Sequence, residues 1–260
     1  MKDMVGSVMD IVELRKLLVS DNYICFTADL DWAAEHAIEN LLKAFEINDI
    51  KPTVFLTHYS KVIEKYRDKI DIGIHPNFIH PSSQGKTQDE IVDYCRRLAP
   101  ETEVFRSHKW YGDNDIYDKL WNSGFRYESN LCTDMDETEP FIHRSGMVSF
   151  PVFLEDGAYI IKNRKLDFEN VREKFEKNGL KVVNIHPMHY ALNTPYFSYT
   201  REIKDRLTRE EWNNLQPEDL KKLSYKGVGI RSFIEDLFQF SKDGSAKVIT
   251  LKQMYEMLSL

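Results

Sequence analysis

Asp29 and Asp31 stand one residue apart at the end of an apolar run, Tyr23-Ile24-Cys25-Phe26-Thr27-Ala28. Two carboxylates placed this way can divide their work, one holding a metal ion and the other taking a proton. Alone the pair is weak evidence, because Asp is also a common helix cap and a helical pattern begins just after it. Three later apolar runs end on residues that can complete such a centre. Ile72-Gly73-Ile74 ends on His75, with His80 five positions further on. Val104-Phe105 leads into Arg106 and His108, and Lys181 to Ile185 ends on His186, with His189 beyond it. A carboxylate with two imidazoles and open positions suits zinc or another divalent transition metal. A histidine such as His186 titrates near neutrality and can protonate a leaving group. Arg106 can pair with Asp29 and keep it ionised. Each residue has a bland reading as a cap, a half-buried ring or a salt-bridge partner. Together, four strand ends in order deliver Asp-x-Asp, His, Arg and His, the set needed for metal-assisted hydrolysis.

The elements that must position these residues follow a regular rhythm. Residues 8–19 read as an amphipathic helix with Val8, Ile11, Val12, Leu18 and Val19 on one side and Leu14 and Leu17 widening the stripe. Strands are expected at Tyr23 to Ala28, Pro52 to Thr57, Asp71 to Ile74, Val104 to Ser107 and about 125–130. Helices fall between them at 33–47, 60–68, 88–98 and 114–123. Thr87 and Glu90 form a capping-box pattern for the helix at 88–98. Alternating strands and helices with short connections predict a parallel sheet or barrel, whose carboxyl strand ends form the active face. The second half is less regular. It has a polar loop at 131–146, a strand from Met147 to Leu154 ending on Glu155-Asp156, and a helix at 167–177. A strand from Lys181 to Ile185 precedes a polar excursion or lid at 190–208, and helices follow at 209–223, 228–241 and 250–258.

The totals set bounds. The 260 residues are 42% hydrophobic and 30% charged, as in an ordinary globular protein, and read as one domain spanning 1–260. A net charge of −7 argues against nucleic acid as a partner, because phosphate contacts need clustered cations. Three widely spaced cysteines, Cys25, Cys95 and Cys132, suggest neither a disulfide framework nor a zinc knuckle and fit a cytoplasmic location. No secretory leader or membrane span is expected, because charged residues interrupt the first twenty positions and no apolar stretch is long enough.

At these residues the sequence resembles the polysaccharide deacetylase superfamily, also called the NodB homology family or carbohydrate esterase family 4. Phe26-Thr27-Ala28-Asp29-Leu30-Asp31 is similar to its first motif, and Ile72-Gly73-Ile74-His75 to its histidine motif. Phe105-Arg106-Ser107-His108 is similar to the arginine motif, and Asn184-Ile185-His186-Pro187 to the final histidine motif. The likeness is greatest to a branch encoded with surface-polysaccharide biosynthesis genes, through Gly73-Ile-His-Pro-Asn-Phe78, Ser129-Asn-Leu131 and His186-Pro-Met-His-Tyr-Ala-Leu-Asn193. The resemblance implies a distorted (β/α)7 barrel with C-terminal helices and a divalent metal, often zinc. It makes Asp29 the catalytic base, Asp31, His75 and His80 the metal ligands, His186 the acid, and Arg106 the residue that orients Asp29. The family's histidine pair is usually four apart rather than five, and a proline usually stands where His108 does. His108 or the amide oxygen of Asn77 therefore stays open as the third ligand.

The expected activity is removal of N-acetyl groups from a sugar or glycan precursor by a metal-dependent amide hydrolase. Trp110, Tyr111 and the 190–208 segment are candidates to line the sugar site. Two rivals remain. Asp-x-Asp after a first strand also opens phosphatases of the haloacid-dehalogenase type, although magnesium prefers oxygen ligands and would leave the histidines without a role. A barrel that binds glycan without turnover is the other. Oligomeric state is not readable from the sequence.

Overall fold

A computed structural model of the chain describes residues 11–258. Its frame is a sheet of ten strands: β1 Asn22–Asp29, β2 Thr53–Leu56, β3 Asp71–Ile74, β4 Val104–Phe105, β5 Tyr127–Glu128, β6 Phe141–Ile142, β7 Val148–Ser149, β8 Val152–Glu155, β9 Gly179–Ile185 and β10 Lys247–Val248. Their order is β6-β7-β5-β4-β3-β2-β1-β9-β8, with β10 paired to β1. All pairings are parallel except β6 with β7. β7 lies next to β5 and β8 lies next to β9, yet only Phe150 and Pro151 separate them. One run of chain thus joins both ends of the row and curls the sheet into a distorted (β/α)7 barrel. Pro151 has no N–H for the ladder, which is where the run changes partners.

Period-2 alternation sorts each strand into two faces. On β1, Ile24, Phe26 and Ala28 face the helical layer, while Tyr23 and Cys25 belong to the barrel interior with Phe55, Val104, Val152 and Val182. The same parity carries the line of Cys25 on to Thr27 and Asp29, of Gly73 to His75, of Val104 to Arg106, and of Val182 to Asn184 and His186. Polar groups are thereby delivered to one end of the barrel. At the other end Leu14 and Leu18 of the helix Ile11–Ser20 join Leu251 and Met254 of Leu251–Glu256 as an apolar plug. On the outer face Phe26 meets Phe45 of Glu35–Ile47 and Phe238 of Ile230–Lys242, with ring centroids 5.3–6.1 Å apart. Burying each such ring contributes roughly 2–3 kcal/mol, which anchors both helices to β1.

The helix Gln88–Leu98 starts with the Thr87–Glu90 capping box that its sequence predicts. Other expectations are corrected. Positions 8–10 of the first helix lie outside the described residues, and its buried stripe is Leu14 and Leu18, with Val12 and Val19 exposed. The strand expected at Met147–Leu154 is two, and the loop at 131–146 contains β6. A helix at Asp156–Ile161 was not foreseen; the helix at 167–177 is a 3-10 turn followed by Arg172–Glu176, and that at 209–223 is two helices broken before Pro217. The excursion at 190–208 is no free lid, because Tyr190 to Thr194 is buried and Pro187–Leu192 and Phe197–Lys204 are helical. No helix among the described residues is long and apolar enough to cross a membrane.

Candidate active site

Arg106 organises the inner part of the site. It is fully buried, yet every nitrogen of its guanidinium is engaged. Nε donates to the Ser129 carbonyl at 2.7 Å and Nη2 to Ser129 Oγ at 2.8 Å. Nη1 donates to Asp29 Oδ1 at 2.9 Å, Asn184 Oδ1 at 2.6 Å and Thr27 Oγ1 at 2.9 Å. Asn184 Nδ2 then donates to the second Asp29 oxygen at 2.8 Å. Asp29, 3% exposed, is therefore held at both oxygens in one orientation. The guanidinium lies over the Phe55 ring, 4.3 Å from its centroid. That ring reaches so close to β3 that a Cβ on Gly73 would stand 2.5 Å from it, so glycine is required there. Removing one partner from a buried, hydrogen-bonded pair of this kind costs about 3–5 kcal/mol.

Asp31 belongs to a different setting. Its backbone turns into the left-handed region (φ 43°), as does Trp32 (φ 54°), and Lys109 and Trp110 repeat the feature beside His108 (φ 55° and 59°). Non-glycine residues held this way cost of order 1–3 kcal/mol each and cluster at functional sites. The result is that Asp31 Oδ1 faces both His75 Nε2 at 3.1 Å and His108 Nδ1 at 2.9 Å. One atom from each of the three lies within 4.8 Å of the others. His186 Nε2 approaches the other Asp31 oxygen at 3.7 Å. Burial pushes the Asp31 carboxyl upward, but the hydrogen bonds from His108 and His75 and the charges of His75 and His186 outweigh it. The acid ends well below its usual range. The side chain keeps 31% of its surface open, unlike that of Asp29.

His186 is held from behind by Asp156, whose Oδ1 is 2.5 Å from Nδ1 and whose Oδ2 accepts the His186 backbone N–H at 2.8 Å. Glu155 stands 3.6 Å from Nδ1. Burial would depress the imidazole, yet the Asp156 charge and hydrogen bond, with Asp31 and Glu155 behind them, raise it well above its ordinary value. The ring thus favours its protonated form.

The structure brings together Asp29, Asp31, His75, Arg106 and His186. It does not bring His80 to the group, and the third corner is His108. The reason lies in the loop after β3. Gln84, buried, accepts the Asn77 N–H at 2.6 Å and donates to the carbonyls of Thr57 at 3.0 Å and His75 at 3.1 Å. This folds the loop back and leaves His80 exposed, while Asn77 Oδ1 is occupied by the Ile79 N–H at 3.0 Å. Sequence reasoning assigned no role to Asn184, Thr27, Gln84 or Asp156. The first two carried a signal, since each precedes a recognised residue by two positions and shares its strand face. Asp156 carried another, as an acid directly after a strand.

One carboxylate and two imidazoles converging on a partly open point form a donor set that fits zinc or a similar divalent ion. The buried His75 Nδ1 has no hydrogen-bond partner and faces Asp29 Oδ1 at 3.9 Å, so only its Nε2 is committed, and that atom points to the centre.

A family described as WbmS-like polysaccharide deacetylase matches residues 26–203. Among solved structures, a Bordetella bronchiseptica protein assigned as a polysaccharide deacetylase involved in O-antigen biosynthesis is similar at TM-score 0.72 and 26% identity, covering 84% of this chain and 90% of that one. A Mycobacterium smegmatis protein assigned as a polysaccharide deacetylase shares the fold at TM-score 0.54 and 17% identity, covering 91% and 89%. No curated protein matches the chain.

Proposed function

Since the chain belongs to the WbmS-like polysaccharide deacetylase family, we propose that it hydrolyses the acetamide of an N-acetylated sugar or glycan precursor with the help of a divalent metal, zinc being the best fit to its donors. The observation that carries this reading is the separation of the two aspartates. Asp29 is locked inward by Arg106 and Asn184, whereas Asp31 faces two imidazoles at an open edge. Asp31, His75 and His108 would hold the ion, with His108 in place of His80. When bound, such an ion polarises the acetyl carbonyl and makes nearby water more acidic.

The protein's own groups account for the proton traffic. Asp29 takes a proton from the water whose oxygen attacks the acetyl carbon, and Arg106 and Asn184 keep that carboxylate aimed. The C–N bond breaks, and His186, kept protonated by Asp156, gives its proton to the departing nitrogen. The products are acetate and the free amine. A phosphatase reading requires a free nucleophilic carboxylate at Asp29, and both of its oxygens are engaged. The unpaired thiols Cys25, Cys95 and Cys132 support a cytoplasmic setting, and we read residues 1–260 as one catalytic unit.

The test is acetate release from N-acetylated sugars by Asp29→Asn. Turnover should fall below detection while metal content stays at the wild-type level. Acetate release at the wild-type rate would remove Asp29 from the role of base.

A further inference from the structure

Beside the metal corner lies a cavity of about 570 Å3, within the range of ligand sites. It starts at Trp32, the residue after Asp31, whose ring stands edge-on to His108 with centroids 5.3 Å apart. Asn77 lines it, two residues beyond His75. The segment 204–213 supplies Lys204, Asp205, Arg209 and Trp212. Trp212 is buried and carries the Lys204 ammonium 5.5 Å from its ring centroid, which holds that cation at the wall. Asp205 faces Arg201 at 3.7 Å. Among the described residues neither Lys204 nor Arg209 makes an ion pair with a carboxylate. In a chain of net charge −7, two unpaired cations on the wall of a cavity that begins at the residue after Asp31 and at the ring packed on His108 call for an anion.

The geometry points to a substrate that carries a phosphate or diphosphate ester: an N-acetylated sugar still in its activated form, not a finished neutral polymer. This rests on the deacetylase reading and narrows its substrate class. The Arg209 guanidinium matches a phosphate by its fork and Lys204 as a point charge. Trp32, which lines the cavity and packs on His108, would stack on the sugar ring, with the acetamide directed toward Asp31, His75 and His108. The same chemistry is found in a nucleotide sugar and in a lipid-linked sugar diphosphate.

The experiment measures kcat/KM for acetate release by the metal-loaded full chain. Substrates are UDP-N-acetylglucosamine, a prenyl-diphosphate N-acetylglucosamine, methyl N-acetylglucosaminide and an N-acetylated chitooligosaccharide. In parallel, tryptophan fluorescence reports binding of the same compounds to Asp29→Asn protein. The phosphorylated sugars should be preferred over the neutral ones by at least about tenfold, and that preference should fall toward unity in Lys204→Gln/Arg209→Gln protein with an unchanged melting temperature. Raising salt from about 50 to 300 mM should weaken the phosphorylated ligands selectively. The two phosphorylated arms tell a soluble donor from a lipid-linked one. Equal use of neutral and phosphorylated sugars, or a double variant that keeps the preference, would overturn the inference and leave the deacetylase reading standing. Absence of acetate from every substrate, with binding of phosphorylated sugars lost in the double variant, would do the reverse.

Discussion

Asn184→Ala tests whether the buried network does what its geometry implies. Asn184 is fully buried, and its amide makes three hydrogen bonds: from Nδ2 to Asp29, and to Oδ1 from Arg106 and from Thr27 Oγ1 at 3.1 Å. Two of these involve charged groups, worth roughly 1.5–3 kcal/mol each, and the third is worth about 1 kcal/mol. The bonds share partners, so their loss is less than additive, and a destabilisation of about 3–5 kcal/mol is expected. For a chain of this length that corresponds to a fall in melting temperature of roughly 6–20 °C. Asn184 has no contact with the open edge where substrate must bind, so its effect on turnover has to pass through Asp29. With one carboxylate oxygen released, kcat should drop about 10- to 100-fold while KM changes little. Calorimetry and steady-state acetate release measure the two quantities. A variant that melts within about 1 °C of wild type, or that raises KM while keeping kcat, would refute the positioning role.

Three further outcomes follow from the same geometry. His108→Ala should lower metal affinity by at least about 100-fold, measured by competition with a chromogenic chelator, whereas His80→Ala should leave it unchanged. Asp156→Asn removes the charge that lifts His186, so the basic limb of the kcat/KM profile should move to lower pH. The stability that protonated His186 contributes, full below its ordinary range and lost as pH rises through its folded value, should shrink with it. Glu128 is buried and pushed up to about 7 by burial, against the opposing hydrogen bond from the Asn130 N–H and the Arg106 charge. A carboxyl raised this way binds more protons folded than unfolded, so stability falls as pH climbs from about 4.5 to 7. Glu128→Gln should flatten that slope and gain up to about 3 kcal/mol at pH 8 in urea titrations.

Much of the site is legible because parallel strands are simple readers of position. An apolar run with period 2 fixes which of its terminal residues face the barrel, so Asp29, His75, Arg106 and His186 stand out from sequence. What is not legible depends on contacts between distant segments. That His108 rather than His80 lies beside Asp31 and His75 depends on Gln84, which ties the loop after β3 to Thr57 and His75. The orientation of Asp31 depends on left-handed backbone at Asp31 and Trp32, which no residue type there announces. Asn184 reads as a polar residue inside a strand until Arg106 is seen beside it. The split between β7 and β8 was hidden because Pro151 sits within a run whose apolar pattern continues on both sides. The segment after His186 looks like a surface excursion by composition, yet Asn193 donates to the carbonyls of Tyr225 and Gly227 and is buried against that turn.

Metal-dependent deacetylation is tested most directly by acetate release from an N-acetylated sugar by the purified chain before chelation, after chelation and after zinc is restored. Release should disappear with the metal, return with about one equivalent of zinc, and fail to return in His108→Ala protein. Release at an undiminished rate from fully chelated protein would contradict metal dependence.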